Sequence, residues 1–539
     1  MEILRMILSD TRTDRRKFVL MLMVSAIGTT LIVALVNRAV HAAEDSGQFG
    51  LAMAFLTSVV VFTIAQRYVM MESAEEAERM IERLRIGIMN KVRMADLKAM
   101  QGIGRAPIYA ALTREAQTIS TTLPVIIIGA QQSVLLIFVS FYLAYLSLVA
   151  FALVGVFGVC AIWFHITRLR MLQESTGRLN AEQGKLFEEF RGVLSGFREL
   201  TLNERRGDSI LRRIALISEE ARVLANEIKA TWAREYVLTQ TLFYILLGLM
   251  VFIVPNFTES YHDVVVQATI GALFMIGPLG ALAQSIPAVN DAARALQNMR
   301  HLEEGLTAAV ADSVDEEAER LDRRAHQTLT LDALEYQFED GNGQTSFALG
   351  PISAEFKAGE VTFITGGNGS GKSTLFRMMT GLVHPMGGHV ALDGTPVRLS
   401  QYSDYRDQVG VVFADYYLFG ELHGLEHLPP ARINSVLRLM ELSEKVRYEN
   451  GAFTTTDLSA GQRKRLALAV AILQDTPILM LDEWAADQDP QFRRTFYEAL
   501  LPDLRDQGKI VICITHDDRY FGVADRVYHM VDGKMSRER

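Results

Sequence analysis

A chain of 539 residues exceeds one ordinary hydrophobic core, so two or three domains are expected. Its net charge of −9 offers no electrostatic footprint for nucleic acid, and two cysteines, Cys160 and Cys513, leave no disulfide framework and read as small apolar core residues. Hydrophobic residues make up 49% of the chain and the mean hydropathy is positive, which is unusual for a soluble enzyme and calls for a search for membrane spans.

Six apolar runs before residue 290 are each long enough to cross a hydrocarbon core of about 30 Å. They fall near 18–37, 49–68, 123–145, 147–166, 236–255 and 264–286. The first is no cleaved signal peptide: it is too long, lacks a small-residue cleavage motif and is followed at once by a second span. Arg5, Arg12, Arg15, Arg16 and Lys17 precede it, and the segment between the second and third runs, from Arg79 to Arg114, is basic. So is Arg168 to Arg234, whereas the turns near Tyr145 and His262 carry no lysine or arginine. By the positive-inside rule both termini are cytoplasmic.

The outward connections are short and the two cytoplasmic ones long. In the second, Leu179, Leu186, Phe190, Val193, Leu194 and Phe197 recur at helical spacing without proline. Two antiparallel helices of about thirty residues would project roughly 45 Å from the membrane. The expected turns are at Gly102-Ile103-Gly104-Arg105 and Leu202-Asn203-Glu204, which makes Gly104, Arg105, Asn203 and Glu204 candidates for mechanical coupling. No Asp, Glu, Lys or Arg occupies the middle of a run, which disfavours coupling to an ion gradient. Asn37, Gln66, Gln131, Gln132, Gln240 and Gln284 either line a cavity or hydrogen-bond between helices. Prolines at 255, 278 and 287 can kink the last two spans. The expected division is a membrane domain over 1–305, a linker over 306–326 that includes the acidic Asp312–Glu317, and a soluble domain over 327–539.

From Leu329 onward strand-like runs alternate with helices, the pattern of an α/β domain. Within it, VTFITGGNGSGKST (361–374) has strand, glycine-rich turn and helix in the order of a phosphate cradle, with Walker A spacing from Gly366 to Gly371, Lys372 and Ser373. Glycines let the main chain of Gly366, Asn368, Gly369, Ser370 and Gly371 approach phosphate oxygens, and the helix starting near Ser373 and Thr374 adds its dipole. Lys372 would reach the β/γ-phosphates of ATP, and the Ser373 hydroxyl would ligate Mg²⁺. Ile478–Glu483 is a buried strand ending in two carboxylates, with Asp482 placed for Mg²⁺ and Glu483 for general-base work. Leu458-Ser459-Ala460-Gly461-Gln462 opens a helix with Ser459 at its N-cap, and Thr515-His516-Asp517 follows the last expected strand.

The order Walker A, LSAGQ, LDE, histidine resembles the ATP-binding cassette, and with six spans ahead of it the whole chain resembles an ABC exporter half-transporter. The resemblance implies a type IV exporter fold: a six-helix membrane domain with long cytoplasmic extensions, fused to an α/β P-loop cassette. It implies that Ser459, Gly461 and Gln462 face the nucleotide of an opposite subunit, that Asp489 is the D-loop aspartate and His516 the γ-phosphate-sensing switch, and that the protein is a homodimer with two composite ATP sites. Ala414, followed by Asp415, stands where the family has its Q-loop glutamine, and Phe338 or Tyr336 stands at the adenine-stacking position. VVFADYYLF, LDEWAADQDPQFRRTFYEALLP and ITHDDRYFGVADRVYHM resemble exporters of cyclic peptides, lasso-peptide microcins and peptide siderophores of the bacterial inner membrane. The cargo expected from that resemblance is a small amphipathic peptide. The alternatives are a multidrug or lipid exporter and, from another class, a membrane ATPase that gates a partner protein.

Overall fold

Apolar runs give long helices because main-chain polar groups at membrane depth have no water to bond and must pair within the segment. The computed structural model describes residues 15–41, 48–253, 269–271, 273–311, 321, 325–339 and 345–539. Arg5, Arg12, Pro255, the turn near His262 and the acidic stretch Asp312–Glu317 lie outside the described residues. The long helices are Arg15–His41, Gln48–Met94, Arg105–Leu146, Leu148–Ser195, Glu204–Phe252 and Ile276–Ala311. Among the described residues five helices are long and apolar enough to cross a membrane, and the fourth expected run appears as the apolar start, Leu148–Cys160, of Leu148–Ser195. At 47 residues, Gln48–Met94 is roughly 70 Å long, more than twice the hydrocarbon thickness. Leu148–Ser195 and Glu204–Phe252 lie side by side, with Arg213 Nε 2.7 Å from Glu189 Oε1.

Two compact units are present. One contains the described residues up to Asn90 and those from Ala106 to Glu303; the other joins Lys91–Arg105 to Glu304–Arg539. In the first, polar side chains bond between helices: Gln131 Nε2 donates to Ser25 Oγ (2.7 Å), which donates to Gln66 Oε1 (2.8 Å), and Asn37 Nδ2 donates to the Tyr142 hydroxyl (2.8 Å). A Cβ on Gly129 would fall 2.2 Å from the Ser285 side chain, so glycine lets these helices approach closely. Cys160 corrects an expectation: it is exposed on its helix, where an apolar side chain can face lipid tails instead of protein.

A short helix crowns each of the two long turns. Leu97–Ile103 is capped by Asp96, whose Oδ1 accepts from Ala99 N–H (2.7 Å), and closed by Gly104 at φ 77°. Phe197–Thr201 precedes Asn203, which caps the returning helix by accepting from Arg206 N–H (3.2 Å). Ile276–Ala311 continues past residue 306, so the first part of the segment read as linker is helix.

The second unit is built on strands β1 (Thr328–Glu339), β2 (Thr345–Lys357), β3 (Glu360–Gly366), β4 (Gly387–Leu392), β5 (Thr395–Pro396) and β6 (Val409–Val412). These are followed by the small hairpin β7–β8 (Tyr448–Glu449, Ala452–Phe453) and by β9 (Ile478–Asp482), β10 (Ile510–Ile514), β11 (Arg526–Val531) and β12 (Lys534–Arg537). The main sheet has order β12-β11-β3-β10-β9-β6, parallel except at β12; β2-β1-β4-β5 form a second, antiparallel sheet. Alternate residues of the core strands enter different clusters. Ile510, Ile512 and Ile514 pack with Ile364 and Met480, while Val511 and Cys513 pack with Phe363, Leu479 and Leu481. Both faces are therefore covered, as a parallel sheet requires, and the open edge for chemistry is at the strand ends.

Candidate nucleotide site

Parallel β3, β10 and β9 are neighbours in that order, with Ile364 opposite Ile514 and Ile514 opposite Asp482. Their carboxyl ends share one edge, from which the chain leaves as the P-loop, the Thr515–Asp517 segment and Glu483. Two strand spacings, about 10 Å, separate the P-loop strand from the carboxylate strand.

The P-loop glycines are required by geometry. Gly366 has φ 141°, and a Cβ there would lie 2.3 Å from the Met530 carbonyl oxygen; Gly371 has φ 99°, and its Cβ would press Leu349 at 2.8 Å. Gly369 is also left-handed, at φ 79°, with open space where a Cβ would stand. Lys372 begins the helix Lys372–Met379 and is buried; its Nζ donates to the carbonyls of Gly366 and Gly367, each at 2.9 Å. The loop is thus wrapped around an ammonium that keeps one of three N–H donors for a phosphate. Ser370 is buried in the loop, Asn368 and Ser373 are exposed, and Thr374 is half-buried.

Asp482 ends β9, buried, and accepts a hydrogen bond from the main-chain N–H of Ala414. Burial first, then the neighbouring Glu483 charge, raise its carboxyl above the usual carboxylate range; Asp415 adds to this and Arg377 opposes it. Ala414 therefore serves the carboxylate strand through its backbone, which no side-chain reading of the position could reveal. The hard oxygens of Asp482 and Ser373 fit Mg²⁺, whose charge would relieve the crowding of two carboxylates. Glu483 is left-handed (φ 46°, ψ 37°), its N–H donates to Ile514 O (3.1 Å), and its Oε1 lies 3.2 Å from His516 Nε2. The Tyr497 hydroxyl, 2.7 Å from Thr515 Oγ1 and donating to Asp517 Oδ2 at 3.1 Å, steadies the residues on either side of His516.

On the signature side Ser459 and Gln462 form a capping box at the start of the helix Ala460–Leu473. Ser459 Oγ accepts from Gln462 N–H (3.4 Å) and Ser459 N–H donates to Gln462 Oε1 (3.3 Å). Gly461 lets that helix pack on the D-loop, since a Cβ would sit 2.7 Å from Asp487 O. Asp489 caps the helix Pro490–Thr495 through Phe492 and Gln491 N–H, and these bonds, the Phe492 one foremost, hold its carboxyl below the usual range. It also pairs with Arg465, which donates to Gln488 Oε1 (2.9 Å) and Glu441 Oε2 (3.0 Å) and lies 3.6 Å over the Phe492 ring. Sequence reasoning passes over Lys464, Arg465 and Arg493; the available signal is a basic run inside an apolar helix with Asp487 and Asp489 downstream.

Of the two aromatics offered for adenine, Tyr336 is buried and packs edge-on against Phe338 (5.0 Å), and Phe338 is exposed. Phe347, opposite Phe338 in the β1–β2 register, comes within 3.2 Å of where a Cβ of Gly371 would stand, so it links that aromatic edge to the P-loop. The turn that carries Leu97–Ile103 also belongs to this unit. Lys91 Nζ donates to Thr307 Oγ1 (2.8 Å), and His384, kept below the usual histidine range chiefly by burial, feels the Asp96 carboxylate as an opposing charge. Gly104 and Arg105 lie on this turn, while Asn203 and Glu204 belong to the helical unit.

Fold and site together define a P-loop ATPase cassette carried by a chain with long membrane-crossing helices. A family model described as ABC transporter matches residues 349–486. The chain is 32% identical over 524 residues to the ATP-binding protein SyrD of Pseudomonas syringae pv. syringae, covering 95% of this chain and 92% of that protein. It is 30% identical over 259 residues to the ATP-dependent lipid A-core flippase of Cupriavidus metallidurans, covering 44% and 43% of the two chains. In fold it is similar to a solved bacterial Atm1-family ABC exporter with ATP bound, at TM-score 0.79 and 17% identity over 98% of this chain and 95% of that one. The chain belongs to the ABC transporter family, as a half-transporter of the exporter architecture. It is a multi-pass membrane protein that binds ATP and couples its hydrolysis to export.

Proposed function

We propose that two copies of this chain form a homodimer that exports a small amphipathic peptide, cyclic or siderophore-like, from the cytoplasm across a bacterial inner membrane, with both termini cytoplasmic. The observation that carries the dimer is that one chain holds a single P-loop, Gly366–Ser373, and a single signature, Leu458–Gln462. Exposed Phe197 and Leu202 on the second turn support it, as an apolar tip suited to a second copy. Phosphates of ATP are held by Gly366, Asn368, Gly369, Ser370, Gly371, Lys372 and Thr374 and the adenine by Phe338, while Ser373 and Asp482 would hold Mg²⁺, which would neutralise phosphate charge. Ser459 and Gly461 complete the partner's site, with Asp489 beside them.

Glu483 takes the proton of the attacking water, and His516, within hydrogen-bond distance of it, orients that carboxylate. Closure of the cassettes is carried to the spans by the turn helices, and hydrolysis resets them. Peptide cargo is favoured by cassette segments such as LDEWAADQDPQFRRTFYEALLP and by spans without central charges. Lipid cargo is the second reading, supported by the likeness to a lipid A-core flippase.

The deciding experiment measures ATPase activity of the purified protein and uptake into inverted vesicles with cyclic peptides, siderophores, lipids and generic drugs, using Glu483→Gln as the blank. We expect Glu483→Gln to lower turnover by at least about a hundredfold while ATP stays bound. Stimulation by peptides and their ATP-dependent uptake support the first reading; stimulation by lipids alone overturns it in favour of the second. Activity that answers only to an added protein overturns both.

A further inference from the structure

The signature helix Ala460–Leu473 contains a lysine only 5% exposed, Lys464. A buried ammonium persists only where its donors are met. Lys464 Nζ donates to the main-chain carbonyl of Glu483 (2.9 Å) and lies 2.7 Å from Asp487 Oδ2. The contact is returned: Trp484 Nε1 donates to the Lys464 carbonyl (2.8 Å). Trp484 is itself locked, 2% exposed, with its ring centroid 4.4 Å from that of Phe496. Helix and residues 483–484 are therefore clasped in both directions. Glu483 needs such a clasp, because a left-handed backbone is unfavourable for a non-glycine residue and must be imposed by its surroundings. Its N–H is held by Ile514 on β10 and its carbonyl by Lys464 on the signature helix.

We infer that Lys464 is a positioning residue for ATP hydrolysis: it fixes the turn that aims the Glu483 carboxylate and, through Asp487, ties that turn to the helix bearing Ser459 and Gly461. The helix that would engage one nucleotide through its N-terminus thereby sets the base acting on the other. This rests on the reading of Glu483 as the base.

The test is steady-state ATPase kinetics of the full-length protein for Lys464→Met, Lys464→Arg, Lys464→Gln and Glu483→Gln, together with thermal unfolding of each. Methionine fills the lysine's volume without a donor. Lys464→Met is expected to lower kcat about tenfold or more, with KM for ATP within about twofold and an unfolding midpoint that falls but stays above the assay temperature; Lys464→Arg, which keeps the donor, recovers most of kcat. Lys464→Gln, a shorter neutral donor, supplies the same comparison should the methionine variant fail to fold, and is expected to fall between the two. The inference is overturned if kcat of the methionine variant stays within about twofold of the parent, or if its loss follows a fall in midpoint and arginine restores nothing. Full activity in Glu483→Gln would instead overturn the assignment of the base.

Discussion

The two sides of the nucleotide site are built on different principles. The P-loop side is a main-chain cradle whose turns glycine alone adopts freely. Left-handed glycines at 366, 369 and 371 enclose Lys372, whose ammonium is held by two carbonyls of its own loop. The signature side is a side-chain scaffold, in which a capping box at Ser459 and Gln462, the Arg465 network and the Lys464 clasp fix an exposed helix start against the D-loop. A cradle binds phosphate by itself, whereas a scaffold that ends in an exposed serine acts on something brought to it. Damage to the first should therefore remove ATP binding, and damage to the second should spare binding and remove turnover.

The largest expected effect is Gly366→Ala. The new Cβ meets the Met530 carbonyl at 2.3 Å with φ at 141°, so strain and overpacking together should cost about 3–5 kcal/mol. Thermal unfolding and binding of a fluorescent ATP analogue should both report the loss. Gly367→Ala is the control, because its φ is ordinary and nothing stands within 4 Å of a Cβ there. If both variants behave alike, the cradle is not set by glycine geometry.

Arg465→Leu comes next. The guanidinium is buried, but Glu441 and Asp489 are each more than half exposed and can be hydrated when it leaves, so the cost should be about 2–3 kcal/mol, below that of breaking a fully buried pair. Analogue binding should change little while turnover falls. Equal losses of binding and turnover would mean that the two sides are not separable in this way.

This division explains what could be read from the chain. The P-loop is legible because its glycines report backbone angles that few other residues adopt, and the carboxylate strand because a fully buried parallel strand is a continuous apolar run. Spans are legible by length and apolarity. The scaffold is not, because the partners of Lys464, Arg465 and Arg493 are set by tertiary packing rather than by spacing. The turn helices Leu97–Ile103 and Phe197–Thr201 are too short to show a period. Tyr336 and Phe338 share a strand face by alternation, but shifts in the β1–β2 register near Leu334, Tyr336 and Phe338 decide which of them is covered, and spacing does not encode bulges. At 414 the residue type says only that the glutamine side chain is missing, while the main-chain bond to Asp482 belongs to any residue with an N–H.

The smallest effect on stability, and the sharpest test of the contrast, lies at Ser459. Alanine removes the cap acceptor, at a cost of about 1 kcal/mol to the cassette. That cost alone leaves a folded protein, so a large loss of turnover would have to come from the missing hydroxyl at the nucleotide that the proposed dimer brings to it. Aspartate separates the two roles, because it caps a helix as well as serine does but would set a negative charge against the γ-phosphate. Ser459→Asp should therefore match the parent in unfolding midpoint and in binding of the ATP analogue, yet hydrolyse ATP more slowly than Ser459→Ala. If the aspartate variant turns over like the parent, the helix start does not face a phosphate. The signature side would then be structural, and the site would be complete within one chain.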